Sequence, residues 1–413
     1  MKDKIIYISY VDLENTSGYN HKIEHQVKAL SKTKFEVYLL ARYGKKRIAF
    51  IKLENNKLKI IKRFAPEKEY KNKYLFHYFF NKQYFKIFLD LDKEYKFDYY
   101  YIRRIIPVTS AMLKALKKLR KENKIIFYEI PTFPWKEEAK KNFNKISYCM
   151  DVLSYGKLLK LVDYVPAIYN DSARLSKIEK KKFIKISNGI SAENIKLKSN
   201  KKNDNAINFV SIAFIAKWHG YDRIIKGLYE YYKTNPEKEI YYHCVGEGSD
   251  LENLKTLVRE LSLEKYVIFH GTKTGEDLDK VVDECDIAFG SLGFHRTGLT
   301  GGSPLKAREY CARGIPFVIA YEDWDFPETF PFVHRISKDD TPVDVSQVIK
   351  WYENLIKEHP NYSIEMRKYA EENLSWDAKM KPVIEKIKEL AKLKEGKQIH
   401  ETNQSNRCST SNN

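Results

Sequence analysis

The segment Gly290 to Ile319 reads GSLGFHRTGLTGGSPLKAREYCARGIPFVI, and its residue types suit a phosphorylated ligand. A strand is expected to end at Gly290, and a loop of Gly and Thr then carries His295 and Arg296. Ser303 is the expected helix N-cap and Pro304 the first helical residue, where the missing N–H of proline costs nothing. Such a helix start presents unpaired amides and the positive end of the macrodipole, so with Gly301 and Gly302 before it a diphosphate can be seated there. Lys306, in the first turn, adds a point charge. A cation there opposes the dipole and is mildly costly unless an anion compensates. Glu309, three residues on, can share its side of the helix and accept two hydroxyl hydrogen bonds at once. The plainer alternative has Lys306 and Arg308 facing solvent and Glu309 paired with a neighbouring arginine.

Strand-like and helix-like runs alternate on both sides of this segment, the pattern of parallel α/β sheets. Strands are expected at Lys4 to Ser9, Phe35 to Leu40, Tyr99 to Ile102 and Lys124 to Glu129, with helices at Asn20 to Ser31 and Val108 to Lys121. Residues 196–206, almost free of apolar side chains, read as a linker. A second series follows: strands at Ile207 to Ala213, Ile240 to Val245, Val267 to His270, Asp286 to Gly290 and Pro316 to Ile319, with helices between them. Two doubly wound units facing each other across a linker are expected, with ligands at the carboxyl ends of the strands. Val345 to Lys394 reads as helices broken at Pro360 and near Trp376, and the polar run from about Lys397 as a disordered tail.

At 413 residues the chain fits two domains. Its most apolar runs, such as Ile315 to Tyr321, are far short of the ~20 residues of a spanning helix. The five cysteines are scattered without a CxxC pair, against a disulfide framework or a structural zinc site. With no signal-peptide pattern ahead of Ile5, a cytoplasmic location is expected. The net charge of +19 fits phosphorylated substrates, an anionic membrane surface, or lysines spread over solvated faces. Nucleic acid is not an expected partner, because no binding module or concentrated arginine stripe is present.

SPLKAREYCARGIPFV resembles the signature helix and following strand of glycosyltransferase family 4, retaining enzymes of the GT-B fold. That family carries two glutamates here. The second matches Glu309, whose usual role is to bind the donor ribose hydroxyls. Gly301 stands in the place of the first, and Arg296 or His295 is the candidate substitute. Asn188-Gly189-Ile190 resembles the family's NG turn. In IAFIAKWHGYDR, Ile212 to Arg223, the family's diphosphate-binding arginine and lysine are replaced by Phe214 (or its neighbour) and His219. Gly220 and Asp222 match, and Lys217 is close enough to serve. Val245-Gly246-Glu247-Gly248 and Phe269-His270-Gly271-Thr272 are similar to the loops whose backbone approaches the nucleotide. Ser375-Trp376 resembles the entry to the last helix. In the first half, Ser17-Gly18-Tyr19 stands at the family's glycine-rich turn, although an ordinary turn fits equally well. The stretches Tyr101 to Arg104 and Glu129 to Pro134 resemble a bacterial exopolysaccharide or capsule subgroup. Arg103 and Glu129 are the acceptor-side candidates, with Glu129 alternatively paired to Arg103 or Arg104.

The resemblance implies two Rossmann-like domains: 1–195 on the acceptor side, a linker over 196–206, and 207–360 holding the nucleotide sugar. Helices would follow over 361–396, the last crossing back, and a tail over 397–413. The expected reaction transfers a sugar from a nucleotide-sugar donor to a saccharide or lipid-linked saccharide, with retention, in surface polysaccharide biosynthesis. Arg296 and Lys306 are the catalytic candidates. Gly18, Lys217, His219, Gly220, Gly246, Gly248, Gly271, Thr272, Ser303, Pro304, Leu305, Lys306 and Glu309 are the donor-binding ones. No cofactor or metal is expected, and Asp339-Asp340 reads as a solvated pair. A nucleotide-sugar epimerase of the same fold and a non-catalytic partner subunit stay open as alternatives. Peripheral attachment to an anionic membrane is expected through the aromatic and lysine-rich stretch Tyr70 to Arg104, for which a buried amphipathic helix is an equal alternative.

Overall fold

Nine residues from Lys4 to Asp12 form the first strand, β1, and Ile5 to Ile8 are fully buried. A run apolar on both faces belongs in the middle of a covered parallel sheet, and β1 lies there. The computed structural model describes residues 2–14, 18–44, 47–67, 73–142, 144–169, 173, 175–199 and 206–409. Ser17 and residues 200–205, most of the expected linker, lie outside the described residues.

The elements after β1 are α1 (Gly18–Leu30), β2 (Glu36–Tyr43), β3 (Arg47–Glu54), β4 (Lys57–Phe64), α2 (Lys73–Tyr95), β5 (Tyr99–Arg103), α3 (Ser110–Lys121), β6 (Ile125–Glu129), α4 (Trp135–Asn142), α5 (Lys145–Leu161), β7 (Val165–Ala167), α6 (Lys177–Lys182) and β8 (Phe183–Lys185). Strands order as β4-β3-β2-β1-β5-β6, parallel except where β3 pairs with β2 and β4. The alternation expected from sequence contains neither β3 nor β4. Their hairpin turns at Asn55-Asn56, both with positive φ (50° and 60°), as a two-residue type I′ turn requires. That dipeptide was the available signal. On α2, Phe80, Tyr84, Phe85 and Phe88 are buried, whereas Tyr78 and Phe79 are exposed; the side chain of Tyr74 lies outside the described set. Most of the aromatic run expected at a membrane is therefore core. The Tyr84 hydroxyl sits 2.8 Å from the carbonyls of Ser9 and Leu40, which ties α2 to β1 and β2.

The later elements are β9 (Ala206–Ile212), α7 (Asp222–Tyr232), β10 (Glu239–Val245), α8 (Leu251–Glu260), β11 (Val267–Gly271), α9 (Gly275–Asp283), β12 (Ile287–Phe289), α10 (Leu305–Arg313), β13 (Phe317–Ile319), β14 (Val333–Arg335), α11 (Val345–Glu358), α12 (Tyr362–Asn373) and α13 (Trp376–Ser409). Their sheet is all parallel, in the order β11-β10-β9-β12-β13-β14. The chain divides into two compact units, Met1–Ile186 with Lys379–Asn413, and Ser187–Ala378. Within the first, Lys394 of α13 pairs with Asp98 at 2.6 Å. α13 stays helical to Ser409 through the polar run whose composition suggests a tail.

Within the second unit the Asn188-Gly189 turn packs on Trp376. A Cβ on Gly189 would stand 2.6 Å from the indole, and Ile190 N donates to Leu374 O at 2.8 Å. The two motifs are thus one contact, and only glycine fits.

Candidate active site

In the second sheet the strand order reverses between β9 and β12. Ligands of doubly wound sheets bind at such a switch point, outside the carboxyl ends of the strands. The loops that emerge there are residues 213–221 and 290–304, and they pack on each other. Leu292 N donates to His219 O at 2.7 Å, and a Cβ on Gly220 would stand 2.8 Å from Gly293 N. Arg223, fully buried, donates to Leu292 O, Thr341 O and Ser337 O at 2.6, 2.7 and 3.0 Å. Arg223 is not among the residues that the sequence pattern singles out. Its signal was an arginine directly after the matched Asp222. On the neighbouring loop, Gly246 has φ 124°, and a Cβ there would lie 1.8 Å from Ala213 O.

At the edge of this point stands the start of α10. Its N-cap is Pro304, in extended conformation, and no side chain caps it. The expected cap, Ser303, is one residue too early because Pro304 continues the extended backbone. Its Oγ instead accepts from Asn188 N at 2.9 Å, and its carbonyl accepts from Asn188 Nδ2 at 2.6 Å. The first-turn amides of α10 keep the open, positive end that an anion can occupy.

Lys306 lies in that first turn, half-buried. Its ammonium donates to Tyr221 Oη at 3.0 Å and lies 5.4 and 5.9 Å from the ring centres of Tyr221 and Trp218. Burial pushes its pKa down to about 7, with Cys244 and Glu309 acting the other way. Among the described residues it has no ion pair. Glu309 turns to Arg313, Oε1 to Nε at 2.9 Å, and Arg313 also reaches Asp279 at 2.6 Å. Arg308 does not face solvent. It is fully buried and clamped by Asp323 and Asp325.

His219 is buried and lies between Trp218 and Tyr221, with ring centres 3.7 and 5.3 Å away. Burial, with Lys306 nearby, lowers its pKa to about 2. Its Nδ1 accepts from Ala216 N at 3.3 Å. Burial thus favours the neutral ring. Phe214, at the position that corresponds to the family's arginine, is 71% exposed. Arg296 is held by Asp222 at 2.7 and 3.0 Å, by Lys217 O at 2.9 Å and by Asp340. With Lys217 it lines a groove of about 950 Å³, whose lining includes neither Lys306 nor Glu309. Asp340 also pairs with His295 at 3.1 Å. Gly271 is the last residue of β11 and Thr272 follows it; Gly246 N donates to Gly271 O at 2.7 Å. Among the described residues no group of three or more Asp, Glu, His or Cys is placed to hold a metal ion.

Residues 192–330 match the family model for glycosyl transferases group 1. The match lies wholly within the second unit. No curated protein matches the chain in sequence. Its architecture is GT-B, shared with a glycosyltransferase from Rickettsia africae (TM-score 0.62, 13% identity, covering 95% of this chain and 99% of that one). The Anabaena protein HepE in complex with UDP is similar at TM-score 0.57 and 13% identity, covering 93% and 99%. The lipopolysaccharide outer core galactosyltransferase WaaB is similar at TM-score 0.57 and 15% identity, also covering 93% and 99%. The matched segment contains the switch-point loops and all of α10.

The acceptor-side candidates lie in the other unit. Glu129, at the end of β6, is fully buried. Its carboxylate meets Arg103 at 2.9 Å, Lys22 at 3.2 Å, Tyr101 Oη at 2.9 Å and Gln26 Nε2 at 3.1 Å. Burial works against this carboxylate, but Lys22 and Arg103 outweigh it and hold its pKa below the usual value. Burial lowers that of Lys22 to about 8. The pairing alternative for Glu129 describes this geometry. Gly18 opens α1, and among the described residues no helix is long and apolar enough to cross a membrane.

Proposed function

We propose that the chain transfers a sugar from a nucleoside-diphosphate donor to a saccharide or lipid-linked saccharide acceptor, with retention and without a metal, in surface polysaccharide synthesis. The observation that carries this reading is Lys306, a desolvated ammonium with no ion pair among the described residues, at the uncapped start of a helix beside the switch point. A buried cation without an anion is costly, and a diphosphate in contact with it and with the open amides would offset that cost. The barrier to transfer lies in parting a negative leaving group from an oxocarbenium-like sugar. Charge fixed beside the leaving oxygen therefore acts where charge grows. Glu309, with Oε1 engaged by Arg313, has Oε2 left to accept from the ribose hydroxyls. The UDP bound by HepE and the lipopolysaccharide reaction of WaaB support these donor and acceptor classes.

Lys217 and the backbone around Gly246, Gly248, Gly271 and Thr272 complete the donor site in this reading. Arg296 acts by pinning Asp222 and the 213–221 loop, and Glu129 with Arg103 by fixing the ends of β5 and β6 beneath the acceptor. The described cysteines are unpaired thiols, which suits the reducing cytoplasm, and the reaction is placed there at the inner face of the membrane. Gly301 and Phe214, where the family has charged side chains, favour a second reading as a non-catalytic partner subunit. A panel of nucleotide sugars with a lipid-linked acceptor tests both. Turnover with one donor supports the transferase. Nucleotide binding without turnover on any donor supports the partner subunit.

A further inference from the structure

Helix α5 carries apolar side chains on the side turned away from the core. Ile146 is 71% exposed and Leu153 77%, with Met150 and Val152 also exposed. Positions 146, 150 and 153 follow i, i+4, i+7 spacing and form one stripe. The opposite side is anchored: Asp151 is buried, accepts from Val108 N at 2.7 Å and pairs with Arg104 at 2.6 Å. The segment between Arg104 and Val108 leads into α3, whose N-cap Thr109 contacts Asn81 of α2 at 2.6 Å. Exposed Tyr78 and Phe79 stand within one turn of Asn81. Two apolar exposures, on α5 and α2, thus flank the start of α3.

The charge around them is mostly positive, with Asp90 an acidic group on the same groove. Between α2 and α3 runs a groove of about 480 Å³ whose rim carries Lys82, Lys86, Lys93, Lys114 and Lys118 over Phe85 and Ala115. Lys86, Lys93 and Lys118 have acidic partners. Among the described residues, Lys82 and Lys114 have none, and neither do Lys145, Lys157 and Lys160 of α5. Exposed apolar groups ringed by unpaired lysines disfavour a second copy of the chain, which would set lysine against lysine. They match a surface that is apolar below and anionic at its rim.

We infer that the α2–α3–α5 face of the first unit docks on an anionic lipid bilayer, with Ile146, Met150 and Leu153 inserted below the headgroups and the unpaired lysines on the lipid phosphates. The inference rests on the proposed transferase that serves a membrane-borne acceptor, and it moves the contact from the buried aromatic face of α2 to α5. These side chains are outside the core, so their replacement leaves the fold intact.

The test is co-sedimentation of the full chain with vesicles of phosphatidylcholine alone or mixed with phosphatidylglycerol, alongside calorimetric UDP titration of each variant. The wild type should bind the anionic vesicles, more weakly as salt rises, and bind the neutral ones poorly. Ile146→Glu with Leu153→Glu should lower vesicle binding at least tenfold, and Lys82→Gln with Lys114→Gln by roughly thirtyfold at ~1 kcal/mol per lysine, with UDP affinity unchanged in both. Absence of vesicle binding by the wild type, or equal binding by the glutamate variant, overturns the inference while UDP binding still upholds the donor site. A dimer abolished by Leu153→Glu would assign the face to a second copy and overturn it too. Vesicle binding without UDP binding would uphold the face and sink the donor reading.

Discussion

The Lys306 ammonium and the Tyr221 hydroxyl lie 3.0 Å apart, the lysine from the first turn of α10 and the tyrosine from the residue preceding α7. The phenol gives the cation a dipole but no charge. Burial therefore dominates and brings the lysine to about 7.

Nucleoside-diphosphate binding should accordingly weaken as pH rises through 7. The anion binds the protonated lysine, which the free protein progressively loses above that value, so binding is coupled to proton uptake on the alkaline side. Titration calorimetry of UDP between pH 6 and 9, in two buffers of different ionisation enthalpy, measures both effects. A flat affinity with no proton uptake would remove Lys306 from the site.

Replacing Lys306 by Met should cost about 10²–10³ in kcat, as loss of one charge-stabilising donor does, without lowering the melting temperature. The folded pKa lies below the unfolded one, so the ammonium costs stability fully below pH 7, and that cost fades as pH rises toward its ordinary value. Any thermal gain of the variant should be largest in acid. Unchanged turnover with a lowered melting temperature would mean a structural lysine.

Glu309→Gln should weaken donor binding by roughly tenfold to a few hundredfold, since a charge-assisted hydrogen bond contributes ~1.5–3 kcal/mol. Comparing UDP with 2′-deoxy-UDP separates the ribose contact from the Arg313 ion pair. The wild type should distinguish the two nucleotides and the variant should not. If both proteins distinguish them equally, the ribose partner lies elsewhere.

Arg308→Met leaves Asp323 and Asp325 buried without their cation, which should destabilise the second unit by about 3–5 kcal/mol. Urea unfolding followed by tryptophan fluorescence reads this directly. A loss below about 1 kcal/mol would mean that water or another cation replaces the guanidinium.

Turnover should survive excess EDTA. A loss restored by Mg²⁺ or Mn²⁺ would show that the open helix start and Lys306 do not suffice for the leaving group.

The sequence by itself determined the fold class and most of the strands. Continuous apolar runs such as Ile5 to Ile8, bounded by polar residues and short for a helix, read as doubly covered strands, and their alternation with helical periods points to mainly parallel sheets. Gly314-Ile315-Pro316 marked the end of α10 because backbone permission and a missing N–H are local properties. The hairpin of β3 and β4 stayed hidden because β4 is an edge strand half given to lysine and arginine, so its burial pattern carries little periodicity. Partners and burial were decided only in three dimensions. Arg308 and Lys306 sit two residues apart, and nothing in their types says that one meets two buried aspartates and the other none. Asp323 and Asp325 arrive from the loop after β13, and Tyr221 from the residue before α7. Likewise α2 and α5 are both rich in apolar residues. The side of each that meets solvent depends on which neighbours it packs against, because burial is a property of the assembled surface rather than of a residue's own chemistry.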